Sequence, residues 1–313
     1  MPRLDLEPRT IHGRGSELAT ITSAELAAWR ARGAFVDVLG KKIFVVDEGP
    51  RDAPPLLLLH GFPTSSFDFV HAVAHLASRH RVVVHDHVGF GLSAKPEGFS
   101  YSLLEQADVA LAVWRNLGIT RGHLLGHDYG TSVVTELCAR RELGALPLEI
   151  EAITLANGSV HVELAQLAIT QKLLKNKVTG PLMATFAGRT VFVRQLRRIF
   201  GDPSSVATAD LDAAWEALEL EDGRHRLAPI ASYIEDRYRF WHRWIGALTR
   251  LDRPAHVLWG ERDPIAVPAI ARALARDIRG ARLTWLAELG HYPMLEAPRR
   301  WSEEVLAFSS APR

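Results

Sequence analysis

Three residues in this chain have the types and spacing to carry out a covalent hydrolysis. The first is Asp128, at the centre of Leu124-Leu125-Gly126-His127-Asp128-Tyr129-Gly130-Thr131-Ser132. A short apolar run stops there at Gly-x-Asp-x-Gly and a helical pattern begins at once. A tight strand-to-helix turn of this kind lifts its apex side chain above a sheet. Its backbone is strained, so Gly126 and Gly130 keep the neighbouring chain small. A serine at the apex would transfer acyl groups. A carboxylate there attacks an alkyl carbon and becomes an ester. That ester needs a base to activate water and an acid to orient the base. Asp263 follows an apolar run ending at Trp259, and His291 lies in the loop Gly290-His291-Tyr292-Pro293. Taken singly, Asp263 reads as a turn residue before Pro264 and His291 as an ordinary loop histidine. Their order after Asp128 is the nucleophile, acid, histidine order of one particular strand topology.

Positioning these groups requires a sheet, and the chain is long enough to build one. It has 313 residues, 47% hydrophobic and 23% charged, with a net charge of +1. Those values are those of an ordinary globular protein and imply no polyanion or nucleic-acid partner. Cys138 is the single cysteine, which excludes an intrachain disulfide framework and fits a reducing cytoplasm. The first residues have no apolar core, so no signal peptide is expected. No apolar run approaches the roughly 20 residues that span a bilayer. A cytoplasmic protein, monomer or homodimer, is the expectation.

Residues 1–15 read as a loose arm broken by Pro2, Pro8, Gly13 and Gly15. Thr22 or Ser23 caps a helix over 24–32, closed by Gly33. Strands are expected over 35–38 and 42–46 as a hairpin, then over 56–59, 81–84, 123–125 and 150–155. Helices are expected from Ser65 or Ser66 through 79, and over 102–117 and 129–141. Alternating strands and helices predict an α/β fold with a doubly wound, mostly parallel sheet. The alternation stops after Asn157-Gly158. Residues 159–245 carry helical patterns over 162–175, 189–199, 210–220 and 228–245 and no convincing strand. The alternation resumes with a strand over 255–259, a helix over 268–278, a strand over 282–286 and a helix over 298–308. The expected organisation is an N-terminal arm and helix (1–34), a discontinuous core (35–157 and 246–313) and an inserted all-helical cap (158–245). In a parallel sheet the loops carrying Asp128, Asp263 and His291 converge at the carboxyl edge, where ligands bind.

The motifs His60-Gly61-Phe62-Pro63, Gly89-Phe90-Gly91-Leu92-Ser93, Gly126-His127-Asp128-Tyr129-Gly130, Trp259-Gly260-Glu261-Arg262-Asp263 and Gly290-His291-Tyr292-Pro293 follow one another in the chain. In this order the sequence resembles the α/β-hydrolase superfamily, and within it the epoxide hydrolase and haloalkane dehalogenase branch, which uses an Asp nucleophile. At finer grain it resembles the mesoderm-specific-transcript type. Residues 60–66, Gln171-Lys172-Leu173-Leu174-Lys175 and Arg243-Trp244-Ile245-Gly246-Ala247-Leu248 carry that closer match. Animal members of that group begin with a membrane segment, which this chain is expected to lack. The resemblance implies Asp128, Asp263 and His291 as catalytic triad, with the backbone amides of Phe62 and Tyr129 as oxyanion hole.

The leaving group then decides the substrate class. An epoxide leaves as an alkoxide and wants an O–H donor; a halide wants weak N–H donors, commonly a Trp beside the nucleophile. Position 129 is Tyr and position 62 is Phe where many haloalkane dehalogenases have Asn, and both count against halide release. Tyr233 resembles a ring-opening tyrosine of epoxide hydrolases in its placement. The second lid tyrosine usual there is missing, since residues 159–232 contain no Tyr. A tyrosine packing the cap onto the core would look the same. Trp241, Trp244 and Leu173 are expected on the apolar wall of the substrate pocket. The reading is a cofactor-free hydrolase using water on a small apolar organic substrate, foremost an epoxide. Haloalkane or haloacid dehalogenation is the alternative within the branch, and a non-catalytic binding protein the alternative outside it. His85 and His87 lack a third ligand at useful spacing, so no metal is expected. Arg194, Arg197 and Arg198 read as a solvated helix face.

Overall fold

The computed structural model describes residues 20–166 and 188–310. Its strands are β1 (Gly33–Val38), β2 (Lys41–Glu48), β3 (Pro55–Leu59), β4 (Arg81–His85), β5 (Arg121–His127), β6 (Glu149–Ala156), β7 (Ala255–Gly260) and β8 (Arg282–Leu286). They form one sheet in the order β1-β2-β4-β3-β5-β6-β7-β8. β1 and β2 are a hairpin, β2 pairs antiparallel with β4, and all later pairings are parallel. The central strands are buried along nearly their whole length, because helices cover both faces. That is why they read as unbroken apolar runs.

The helices are α1 (Ala24–Arg32), α2 (Ala72–Leu76), α3 (Leu103–Asn116), α4 (Tyr129–Glu142), α5 (Arg189–Arg197), α6 (Thr208–Glu219), α7 (Leu227–Ile230), α8 (Tyr233–Thr249), α9 (Pro268–Asp277), α10 (Pro293–Glu296) and α11 (Pro298–Ser309). Ser23 caps α1 and Ser102 caps α3, each hydroxyl accepting a first-turn amide. The elements differ from expectation in places. Gly33 closes α1 as expected, but in an extended conformation, φ −117°, that opens β1. An added Cβ there would meet the Phe44 ring at 2.5 Å, so packing explains this glycine. The single helix expected after Ser65 is a 3₁₀ turn, Ser66–Phe69, followed by the short α2. The Ser66 amide donates to the buried Asp86 carboxylate at 2.7 Å and its hydroxyl accepts from the Trp29 indole at 3.2 Å. These bonds hold the turn against the sheet and keep it from continuing as an α-helix. The single helix expected over 228–245 is two, the short α7 and then α8, which continues to Thr249.

Between β6 and β7 the described residues form helices and turns with no strand. α8 packs along α4, the helix that follows Asp128. The buried Glu136 of α4 fastens the pair. It accepts from the Trp244 indole at 2.9 Å, from Arg243 at 2.9 Å and from Arg140 at 2.8 Å. α1 packs on α6, and Glu216 of α6 accepts the Ser23 amide at 2.9 Å. Ser23 and α1 are therefore tied to α6. None of the described helices is long and apolar enough to cross a membrane.

Candidate active site

Asp128 stands between the end of β5 and the first turn of α4, with φ 42° and ψ −104°. L-residues rarely adopt positive φ, and the surrounding packing enforces it here. A Cβ on Gly126 would sit 2.5 Å from the Gly130 carbonyl oxygen, and one on Gly130 would sit 2.2 Å from that of Leu59. Both glycines are needed for the turn to close on β3. The turn is locked by the Gly130 amide on the His60 carbonyl at 3.0 Å and by the Thr131 hydroxyl on the Asp128 carbonyl at 2.6 Å.

The Asp128 carboxylate is buried and its two oxygens have different neighbours. Oδ2 accepts the Phe62 amide at 3.0 Å. Tyr129 opens α4, and an amide in a helix's first turn has no partner within the helix. Oδ1 faces Arg237, whose Nη2 lies 3.5 Å away and also donates to the Asp128 carbonyl at 3.0 Å. Arg237 Nε donates to Ser132 at 2.8 Å. This guanidinium is 1% exposed and lies over the Tyr233 ring, 4.6 Å from its centroid. Burial pushes the Asp128 carboxyl up, but Arg237 and then His291 outweigh it and hold it below the usual carboxylate range.

His291 follows β8 and Asp263 follows β7. His291 Nδ1 meets Asp263 Oδ2 at 2.7 Å. Asp263 is fixed on every side. Its Oδ2 also accepts from Asn157 at 2.7 Å, and its Oδ1 accepts the amides of Ile265 and Ala266 at 2.7 and 3.0 Å. Asn157 itself has φ 44° and reaches across from the end of β6. Burial pushes the His291 imidazole down, but the Asp263 carboxylate more than offsets it, so its pKa lies above the ordinary histidine value. His127 Nε2 meets the His291 carbonyl oxygen at 2.8 Å, which anchors the loop from below. With Nδ1 on Asp263, Nε2 of His291 is left for water activation, the arrangement a hydrolytic base requires.

Tyr233, at the start of α8, is fully buried, its ring 5.5 Å from that of Phe62 and 5.1 Å from that of Tyr129. It therefore packs over Phe62 and Tyr129 from the helices between β6 and β7. Trp244, expected on a pocket wall, is instead buried between α8 and α4 with its indole on Glu136. Its heptad-like position on the α4-facing side of α8 accounts for this. Trp241 is partly buried, and its indole donates to Glu163 at 2.8 Å. Leu173 lies outside the described residues. Sequence reasoning missed Arg237, Asn157 and the anchoring role of His127. The one available signal for Arg237 was its spacing of four residues after Tyr233, which places both on one helix face.

The sequence profile described as the alpha/beta hydrolase family matches residues 56–304. The chain belongs to this family. It is 39% identical to the putative hydrolase LipZ of Mycobacterium tuberculosis over 288 residues, covering 92% of this chain and 99% of that protein. It is 34% identical to the human mesoderm-specific transcript homolog protein over 295 residues, covering 91% of this chain and 88% of the other. Among solved structures, the epoxide hydrolase CorEH superposes with a TM-score of 0.74 at 17% identity, covering 88% of this chain and 97% of that one. The haloalkane dehalogenase DbeA-M1 loop variant from Bradyrhizobium elkanii superposes with a TM-score of 0.72 at 24% identity, covering 88% and 95%. At these identities the two structures share the fold. This protein is thus an α/β hydrolase, with an eight-stranded, mostly parallel sheet flanked by helices.

Proposed function

We propose that this hydrolase opens epoxides to diols through a covalent ester on Asp128. Asp128 Oδ1 attacks a ring carbon while Oδ2 stays on the Phe62 amide. His291, oriented by Asp263, then takes a proton from water, and the hydroxide attacks the Asp128 carbonyl carbon. The amides of Phe62 and Tyr129 hold the tetrahedral oxyanion. Water is the only co-reactant. The helices over 189–245 act as a lid on the carboxyl edge of the sheet, and Tyr233 supplies the proton to the opening ring.

The observation that carries the choice of epoxide is the disposition of the lid's aromatic donors. Both indoles of α8 are committed to carboxylates, Trp244 to Glu136 and Trp241 to Glu163. Tyr233 packs over Phe62 and Tyr129 at the nucleophile. A phenol suits an alkoxide, whereas weak indole donors suit a halide. Dehalogenation of haloalkanes or haloacids is the second reading, favoured by the Arg237 guanidinium beside Asp128, which can also receive a halide. A non-catalytic binding role has no use for the hydrogen-bonded Asp263–His291 pair facing Asp128. The experiment is a parallel assay of epoxides, haloalkanes and haloacetates. Diol release is expected; halide release with no diol would replace the epoxide reading by the second one.

A further inference from the structure

We propose that Arg237 is a catalytic residue: it receives the negative charge displaced when Asp128 is alkylated, which restricts this enzyme to electrophiles whose leaving group becomes anionic. This rests on the reading of Asp128 as nucleophile and goes beyond it. With Oδ2 on the Phe62 amide, Oδ1 is the oxygen left to attack, and Arg237 Nη2 lies 3.5 Å from it. Alkylation turns the Asp128 carboxylate into a neutral ester. Arg237, 1% exposed, would then be a buried cation without a counterion, a state that is strongly unfavourable. The neighbouring carboxyls do not replace Asp128. Asp263 is engaged by His291, Asn157 and two amides. Asp236 accepts the Leu103 amide at 3.0 Å and Asp68 accepts the Thr64 hydroxyl at 2.7 Å, so each already has a partner of its own. The missing charge must come from the substrate.

In an epoxide it does. The Asp128 Oδ1–carbon bond forms, the ring carbon–oxygen bond breaks, and its electron pair stays on oxygen as an alkoxide beside Arg237. The guanidinium holds that charge and gives up no proton; the Tyr233 phenol protonates the oxygen. In the second step water supplies two protons. One passes through His291 to the alcohol leaving the ester, and the other, from the regenerated Asp128 carboxyl, restores Tyr233.

The proposal is tested without any substrate. Asp128→Asn imitates the neutral ester, so it should bind a small anion at Arg237. Its melting temperature should climb with sodium bromide relative to sodium gluconate at equal ionic strength. Wild type and Asp128→Asn/Arg237→Gln should show no such climb. Asp128→Ala, which leaves open space, repeats the test should the Asn amide occupy the site. Bromide stabilisation that is absent from both Asp128 variants, or that persists without Arg237, overturns the proposal. A kinetic arm uses His291→Gln, in which the ester accumulates. Arg237→Gln in that background should slow alkylation by 1,2-epoxyhexane about 10²–10³-fold. Alkylation by trimethylsulfonium, whose leaving group is neutral, should be faster. Equal slowing with both would reduce Arg237 to a positioning residue and sink the proposal. If no epoxide alkylates His291→Gln with Arg237 intact, the substrate reading fails, and the bromide titration still judges Arg237.

Discussion

Asp128 Oδ2 is bound by an amide and Oδ1 by a cation. Tyr233 stands on the same helix face as that cation, one turn earlier. A phenol that meets charge only as a ring opens stabilises the transition state more than the ground state. Tyr233→Phe should therefore slow ester formation by about 10²–10³ and leave ester hydrolysis nearly unchanged. Single-turnover kinetics separates the two steps, and an unchanged alkylation rate with an epoxide would remove Tyr233 from ring opening. The hydrolytic base has its own pH signature. His291 must be neutral to take a proton from water, and its pKa lies above the ordinary 6.5. In the free enzyme, with Asp128 ionised, the His291 imidazole should titrate above 6.5, read from its ring-proton NMR shift, and a midpoint below 6.5 would be inconsistent with this environment. The convergence of Asp128, Asp263 and His291 was legible in the sequence because each lies in a distinctive loop after a strand. Arg237 was not, since Glu235-Asp236-Arg237-Tyr238-Arg239 reads as any charged helix face. Only the packing of α8 on α4 turns that one arginine inward.

α8 also changes the meaning of its tryptophans at the scale of elements. A tryptophan in an inserted helix suggested a pocket wall. Trp244 instead fills the seam between α4 and α8 and caps the buried Glu136. Trp244→Phe keeps most of the apolar volume but leaves a buried carboxylate oxygen without its donor. That loss costs about 1–3 kcal/mol, so urea denaturation should show a lower midpoint while the substrate range stays the same. A changed substrate range at unchanged stability would return Trp244 to the pocket. The strands themselves were legible as apolar runs, because a parallel sheet covered on both faces leaves no polar alternation. Their ends were extended by a residue or two in the structure, as with β2 and β5. The turn after β3 was not legible. A capping serine before a helical pattern predicts a helix, whereas tertiary bonds from Trp29 and Asp86 make the first turn 3₁₀.

On the scale of the whole molecule, a column of imidazoles runs beneath the site. The rings of His60 and His87 lie 4.4 Å apart, and those of His87 and His85 5.3 Å apart. All three are buried, and neither His85 nitrogen has a hydrogen-bond partner. Burial pushes His85 down to about 4. Below pH 6.5 the unfolded chain binds a proton at this position that the folded protein does not. The His85 contribution to stability therefore falls as pH drops from 6.5 towards 4, by up to about 1.4 kcal/mol per pH unit. His85→Leu should lose this dependence, so its stability relative to wild type should grow over that window and level off below it. Parallel guanidinium melts at pH 7, 6 and 5 read the difference directly; a constant difference would mean that His85 titrates normally in the fold. The sequence placed His85 and His87 near one another but offered no sign of the ring column, which needs β3 and β4 paired side by side.

Turnover is proposed to run through a covalent ester on Asp128 that His291 resolves. Its most direct test is intact-mass and peptide-mass analysis of His291→Gln after incubation with an epoxide that the wild type converts to a diol. A stable mass gain of one substrate molecule on the peptide containing Asp128, with no diol released, is the predicted result. Diol formation by His291→Gln at the wild-type rate with Asp128 unmodified, or a mass gain on any other residue, would contradict it.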